Sequence, residues 1–245
     1  MNPTDASAED TLDLHLPEEF VALFHTAGNA LAEAEAEAEA EAAETGVPAT
    51  TARARADLLD GIADWAPSDT PVGVFRLAPV DVERDAALVA RWMNDPAVAA
   101  YWELTGPQSV TADHLRAQLA GDGRSVPCVG LLDGVPMSYW EIYRADLDPL
   151  ARYCPVRPHD TGIHLLIGDD ADRGRGLGTE LIRAVADLVL AERPACTRVL
   201  AEPDVRNRSS VAAFLGAGFR SAAEVDLPAK RAALMIRERA ARESP

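Results

Sequence analysis

From residue 72 onward the apolar positions change period repeatedly, and each change marks an element. Residues 72–79 form a short apolar-rich run, which predicts a strand. Residues 81–94 predict a helix with an acidic first turn, burying Ala87, Leu88, Ala90 and Trp92. Thr111 is expected to cap a second helix reaching Leu119. Residues 126–132 and 135–143 predict two strands joined by Asp133-Gly134, a hairpin signal. Residues 162–168 predict a buried strand with Ile163, Leu165 and Ile167 on one face and Gly162, His164 and Leu166 on the other. A helix over 177–190, a strand over 197–202 and a helix over 207–216 follow. Strands over 219–225 and 231–237 close the chain. The fold class is therefore α/β, with a mixed sheet.

The first 70 residues have a different texture. Residues 11–17 alternate like a short strand, and 18–30 read as a helix with Phe20, Leu23 and Phe24 on one face. Residues 32–44 alternate Ala and Glu, strongly helix-prone but self-repelling and without an apolar face. They are expected to be a solvated or partly disordered connector. Residues 52–65 predict another amphipathic helix (Ala54, Leu58, Leu59, Ile62), and 66–71 a boundary. The expected division is an acidic, mostly helical or partly disordered extension over 1–70 and a folded domain over 71–245.

Charge sharpens this division. The net charge of the 245 residues is −17, yet residues 1–70 hold 16 acids against Arg53 and Arg55 alone. The folded domain is close to neutral. Such a chain repels nucleic acid and anionic membranes and tolerates a cationic amine. It has no apolar run of eighteen residues, so no membrane span is expected. The polar, acidic N-terminus argues against a leader. Cys128, Cys154 and Cys196 lack metal or CxxC spacing and read as reduced thiols of a cytoplasmic protein, two of them buried; no metal site is expected.

The densest chemistry lies where the strand at 162–168 runs into Arg173-Gly174-Arg175-Gly176-Leu177-Gly178 and then a helix. Strand, glycine turn and helix start offer unpaired N–H groups to a phosphate. A P-loop is excluded, because no Gly-Lys-Ser/Thr ending exists. The dinucleotide fingerprint fails too: Thr179, followed by Glu180, stands where its third glycine falls, and residues 193–198 carry no acid. The pattern Arg-x-x-Gly-x-Gly remains, through Arg173, Gly176 and Gly178. A plain helix-start turn with solvated arginines is the competing reading.

That pattern resembles the coenzyme A pyrophosphate loop of the GNAT acyltransferase superfamily. The element order, strand–two helices–three strands–helix–strand–helix–two strands, is also similar to the GNAT fold, over about residues 72–240. Several blocks resemble its siderophore-biosynthesis branch: residues 91–98, Tyr101-Trp102-Glu103, Tyr139-Trp140-Glu141-Ile142-Tyr143, residues 159–164 and 202–207. The resemblance implies an acyl-CoA co-substrate (acetyl-CoA, or another such as succinyl-CoA). It also implies a small hydroxylamine acceptor such as N6-hydroxylysine, N-hydroxyornithine or N-hydroxycadaverine, and a hydroxamate product. It maps a histidine and an acid facing the acceptor onto His164 and Asp204. Many superfamily members carry a tyrosine that protonates the departing thiolate; here Phe214 stands in the expected place, without a hydroxyl.

The expected roles follow. Direct attack by the acceptor nitrogen needs no covalent nucleophile. Asp204 is expected to accept the proton and His164 to orient the acceptor, and the two roles are interchangeable. Asp204 also reads as a helix cap. Arg173, Gly174, Arg175, Gly176, Leu177 and Gly178 are expected around the pyrophosphate, with Leu166 and Ile167 beside the pantetheine. Asn207 contacts the cofactor or caps its helix. Trp102 and Trp140 are expected in the acceptor pocket. Two rival functions remain: an aminoglycoside 6′-N-acetyltransferase, and a non-catalytic acyl-CoA-binding regulatory module.

Overall fold

The computed structural model describes residues 59–240. Among them eight strands build one sheet: β1 (Ser68–Thr70), β2 (Gly73–Pro79), β3 (Ser125–Leu132), β4 (Val135–Arg144), β5 (Thr161–Ile167), β6 (Arg198–Ala201), β7 (Arg220–Asp226) and β8 (Arg231–Glu238). Their order is β1-β2-β3-β4-β5-β6-β8-β7. Five α-helices accompany them: α1 (Val82–Met93), α2 (Pro96–Trp102), α3 (Gln108–Leu119), α4 (Leu177–Glu192) and α5 (Arg208–Gly216).

One joint in the sheet matters most. Neighbours from β1 to β5 are antiparallel. β5 and β6 are parallel and share only two register pairs, Thr161↔Val199 and Gly162↔Leu200. Beyond Gly162, β5 continues to Ile167 without a β6 partner, so the two strands part. The closed end of this gap is locked by a buried ion pair. Arg198 of β6 places Nε 3.1 Å from both carboxylate oxygens of Asp160, the residue before β5. The guanidinium fork matches the carboxylate geometry.

Each sheet face carries its own core. Leu181, Ile182, Val185 and Val189 of α4 and Phe214 of α5 pack with Phe75, Trp140, Ile142 and Ile163. Val89, Trp92 and Met93 of α1 and Leu115 of α3 pack with Val129, Tyr139 and Leu166. The alternation predicted for β5 holds: Ile163, Leu165 and Ile167 meet the first core, and Leu166 joins the second.

Four local expectations differ from the structure. The buried face of α1 is Ala86, Val89, Ala90, Trp92 and Met93, rotated from the expected one; Ala87 is exposed. α2 was not expected as a helix, although Asp95 caps it, accepting from Ala97 N at 2.9 Å, and Pro96 opens it. α3 starts at Gln108, so Thr111 lies buried inside its first turn and is not its cap. The boundary over 66–71 contains β1, and a 3₁₀ turn over Asp60–Asp64 precedes it. Leu59, Ile62 and Trp65 sit in the first core, so the folded unit includes residues assigned above to the extension. The elements expected before residue 59 lie outside the described residues.

Candidate functional site

β4 and β5 pair so that Glu141 stands opposite His164 and Tyr143 opposite Gly162. With side chains alternating, Tyr139, Glu141 and Tyr143 share the face that carries His164 and Leu166. β6 ends at Ala201, and Glu202 follows it on the far side of the gap. These placements converge on the imidazole. His164 Nδ1 is 3.1 Å from Glu141 Oε2, and His164 Nε2 is hydrogen-bonded to Glu202 Oε1.

A second layer holds both carboxylates. Glu141 Oε1 lies 2.8 Å from His114 Nε2, and accepts from Gln118 Nε2 at 2.7 Å and Tyr139 Oη at 3.0 Å. Glu202 Oε2 accepts from Tyr143 Oη at 2.7 Å. The Tyr143 ring tilts against His164 at 4.8 Å, and Trp102 stands edge-on to it at 6.2 Å. Tyr143 crosses β5 only because residue 162 is glycine: a Cβ there falls 2.0 Å from Tyr143 Cζ.

Both glutamates are nearly buried, while the His164 side chain is 34% exposed. Burial alone raises a carboxyl, but hydrogen bonds from His114 and His164 hold Glu141 well below the carboxylate range. Against the same burial penalty, the charge of His164 and its hydrogen bond lower Glu202. Burial opposes the imidazolium, yet the charge of Glu202 and the hydrogen bond to Glu141 outweigh it and push His164 up to about 10. Burial first, then Glu202, push the Tyr143 phenol well above its ordinary value.

Beyond β5 the glycine turn takes the expected place. Gly174 and Gly176 adopt φ of +70° and +81°, and Gly176 is the N-cap of α4. A Cβ at either meets nothing within 4 Å, so left-handed backbone, not crowding, favours glycine there. At the start of α4, Thr179 N donates to Gly176 O at 3.1 Å, which leaves the Leu177 and Gly178 amides without an intrahelical acceptor. Arg173 is committed inward: Nε donates to Ile167 O at 3.0 Å, Nη2 to Gly168 O, and the guanidinium pairs with Asp95 at 3.0 Å. Arg175 is 66% exposed and only 3.8 Å from Asp172.

The other expected residues divide. Trp102 reaches the His164 face, packing on Tyr139 at 5.5 Å. Trp140 does not. It is 0% exposed in the opposite core, donates to Ser138 Oγ at 2.8 Å and packs on Phe75. One step of strand alternation separates it from Glu141, so it leaves the acceptor-pocket assignment. Asp204 is held by Arg206, its carboxylate accepting from the Arg206 amide at 2.7 Å and from Nη2 at 2.6 Å, whereas the acid that meets His164 is Glu202. Asn207 caps α5, accepting from Ser210 N at 3.1 Å. Phe214 packs edge-on to Phe219 in the core.

Glu141 and Glu202 were missed as site residues. The signal for Glu141 was present: an acid between two tyrosines at period two inside an apolar strand. Nothing in the sequence tied Glu202 or His114 to His164. All three cysteines are free and buried, and burial pushes the Cys128 and Cys154 thiols up, away from the reactive thiolate. Among the described residues there is no His/Cys/Asp/Glu group fit for a metal, and no helix long and apolar enough to cross a membrane.

Comparison with known proteins identifies relatives of this chain. Residues 81–227 match the family model described as acetyltransferase (GNAT) domain. A lysine N-acyltransferase MbtK from Mycolicibacterium paratuberculosis is 37% identical over 186 residues, 74% of this chain and 82% of the relative. An N(6)-hydroxylysine O-acetyltransferase from Escherichia coli is 34% identical over 165 residues, 67% of this chain and 51% of the relative. The crystal structure of aminoglycoside acetyltransferase AAC(6')-Ib with coenzyme A and kanamycin superposes with a TM-score of 0.60. Its identity is 25%, over 67% of this chain and 95% of that one.

Proposed function

This chain belongs to the GNAT acetyltransferase family, and we propose that it acylates the hydroxylamine nitrogen of a small N-hydroxylated amine, of the N6-hydroxylysine or N-hydroxycadaverine class, to give a hydroxamate. The acyl donor is an acyl-CoA. The observation that carries this reading is the His164–Glu202 contact across the gap between β5 and β6, one strand's length from the glycine turn. Relatives named for lysine and N6-hydroxylysine acylation support the acceptor class.

In this reading the amides of Gly174, Gly176, Leu177 and Gly178 hold the pyrophosphate at the α4 N-terminus, and exposed Arg175 adds charge. Arg173 fixes the turn from behind. Leu166 and Ile167 run beside the pantetheine, because β5 has no β6 partner there. Asn207 contributes through the α5 N-terminus it caps. Trp102 walls the acceptor beside His164. The nitrogen lone pair attacks the thioester carbonyl, the C–N bond forms, the C–S bond breaks, and the electron pair leaves on sulfur. The nitrogen's proton goes to a carboxylate of the 202–204 turn. Glu202, which touches the imidazole, is the better placed; Asp204 is neutralised by Arg206.

Release of free CoA thiol tests this across an acceptor panel: N6-hydroxylysine, N-hydroxycadaverine, unmodified lysine and kanamycin. Turnover is expected with a hydroxylamine and at least about tenfold less with lysine or kanamycin. Preferred turnover of kanamycin assigns the chain to the aminoglycoside class, and tight acyl-CoA binding without turnover of any acceptor makes it a binding module. Either result overturns the proposal.

A further inference from the structure

The two carboxylates around His164 fix more than its orientation. An ionised carboxylate only accepts hydrogen bonds. Each imidazole nitrogen faces one: Nδ1 is 3.1 Å from Glu141 Oε2, and Nε2 contacts Glu202 Oε1. Two such contacts are satisfied together only when both nitrogens carry protons. We infer that Glu141 is a positioning residue which, with Glu202, holds His164 as a doubly donating imidazolium, so that His164 enters the reaction as a proton donor and not as the base.

The surroundings favour the same state. From β4, Glu141 and the phenols of Tyr139 and Tyr143 face the cluster. From α3 come His114 and Gln118, both bonded to Glu141 Oε1. α2 contributes only the edge of Trp102. Lys230 acts on Glu202 from the β7–β8 turn, and Asp148 feels both Glu202 and His164. Asp204 and Arg206 neutralise each other. Two carboxylates thus confront one imidazolium, which keeps its proton through neutral pH.

This assignment rests on the acyl transfer proposed above and completes its proton balance. The acceptor nitrogen gives its proton to Glu202 as C–N forms. The imidazolium gives its own to the departing thiolate as C–S breaks. One hop from Glu202 to His164 restores the start, and the net change moves one proton from nitrogen to sulfur. The position where a donor tyrosine is expected holds Phe214, packed in the core, and the Tyr139 and Tyr143 hydroxyls are spent on Glu141 and Glu202.

The test has two readouts. The ¹⁵N shifts of His164 in the whole protein, without ligands, are expected to show both nitrogens protonated from pH 6 through about pH 8. Titration near the ordinary histidine value of about 6.5 overturns the inference, whatever the acceptor proves to be. In the second readout, Glu141→Gln is expected to move the alkaline limb of kcat down by about one pH unit or more. Glu141→Asp is expected to restore part of that shift. A Glu141→Gln enzyme with unchanged limbs and merely lower Tm shows a structural role only and contradicts the inference. Failure of the acyl transfer itself leaves the ¹⁵N result standing, so the two ideas fail separately.

Discussion

Residue 162 shows how much one missing methyl decides. With no Cβ there, the Tyr143 ring crosses β5, bonds Glu202 and packs on His164. Gly162→Ala puts a carbon inside that ring. The cost expected from such overpacking is about 1–3 kcal/mol, with activity lost because Glu202 loses its tyrosine. Urea unfolding and CoA release measure the two effects; a Gly162→Ala enzyme of wild-type activity contradicts this role for Tyr143. The imidazole itself makes a second prediction at this scale. His164→Ala or Glu202→Gln is expected to lower kcat about 10²-fold or more, while Asp204→Asn lowers it far less. Equal losses at Asp204 and Glu202 return the base to Asp204.

The His164 cluster also ties stability to pH. His164 is raised in the folded state, so its contribution is full below the ordinary histidine range and is lost as pH rises through about 10. Glu141 and Glu202 are lowered, so theirs is present above the ordinary carboxylate range and lost as pH falls below it. Thermal melts of wild type against His164→Gln are expected to differ most at about pH 5 to 6.5, to draw steadily together as pH rises towards about 10, and to draw together again in acid as Glu141 and Glu202 take up protons. A constant difference across the whole range contradicts the coupling.

At the scale of elements, the glycine turn was legible and the duties of its arginines were not. Motif reading aims both Arg173 and Arg175 at a phosphate. In the structure Arg173 ties the end of β5 to Asp95 at the start of α2, and Arg175 stays in solvent. The two substitutions therefore separate. Arg173→Ala is expected to lower Tm and to raise KM for acyl-CoA about tenfold. Arg175→Ala is expected to raise KM by several-fold with Tm unchanged. The same Tm loss in both variants contradicts the division. Strand alternation was legible wherever period two held, which correctly separated His164 from Ile163. Trp140 was misplaced because its block was read as a motif, without asking which face each member takes. α2 escaped notice because seven residues are too few to show a helical period.

For the whole molecule, the order of strands and helices from β2 onward was readable except for α2, because every other element announces its own period and turn. The contacts that build the site were not, because they join α3, β4, β5 and the end of β6 across about 90 residues of chain. Sequence alone also drew the domain start too late. Residues 59–65 look like the tail of an acidic extension, yet Leu59, Ile62 and Trp65 are core residues. A chain beginning at residue 71 also loses β1 and is expected to be several kcal/mol less stable than one beginning at residue 54, at about 1.5–3 kcal/mol per buried side chain. Equal urea midpoints for the two truncations remove those residues from the folded unit.

One measurement bears most directly on the reaction. Purified protein, an acyl-CoA panel and N6-hydroxylysine or N-hydroxycadaverine are incubated, and iron(III) is added. A coloured hydroxamate complex, formed in step with thiol release and largely lost in His164→Ala, is the expected result. Thiol release without that colour means acylation on oxygen or of another group, and contradicts transfer to the hydroxylamine nitrogen at this site.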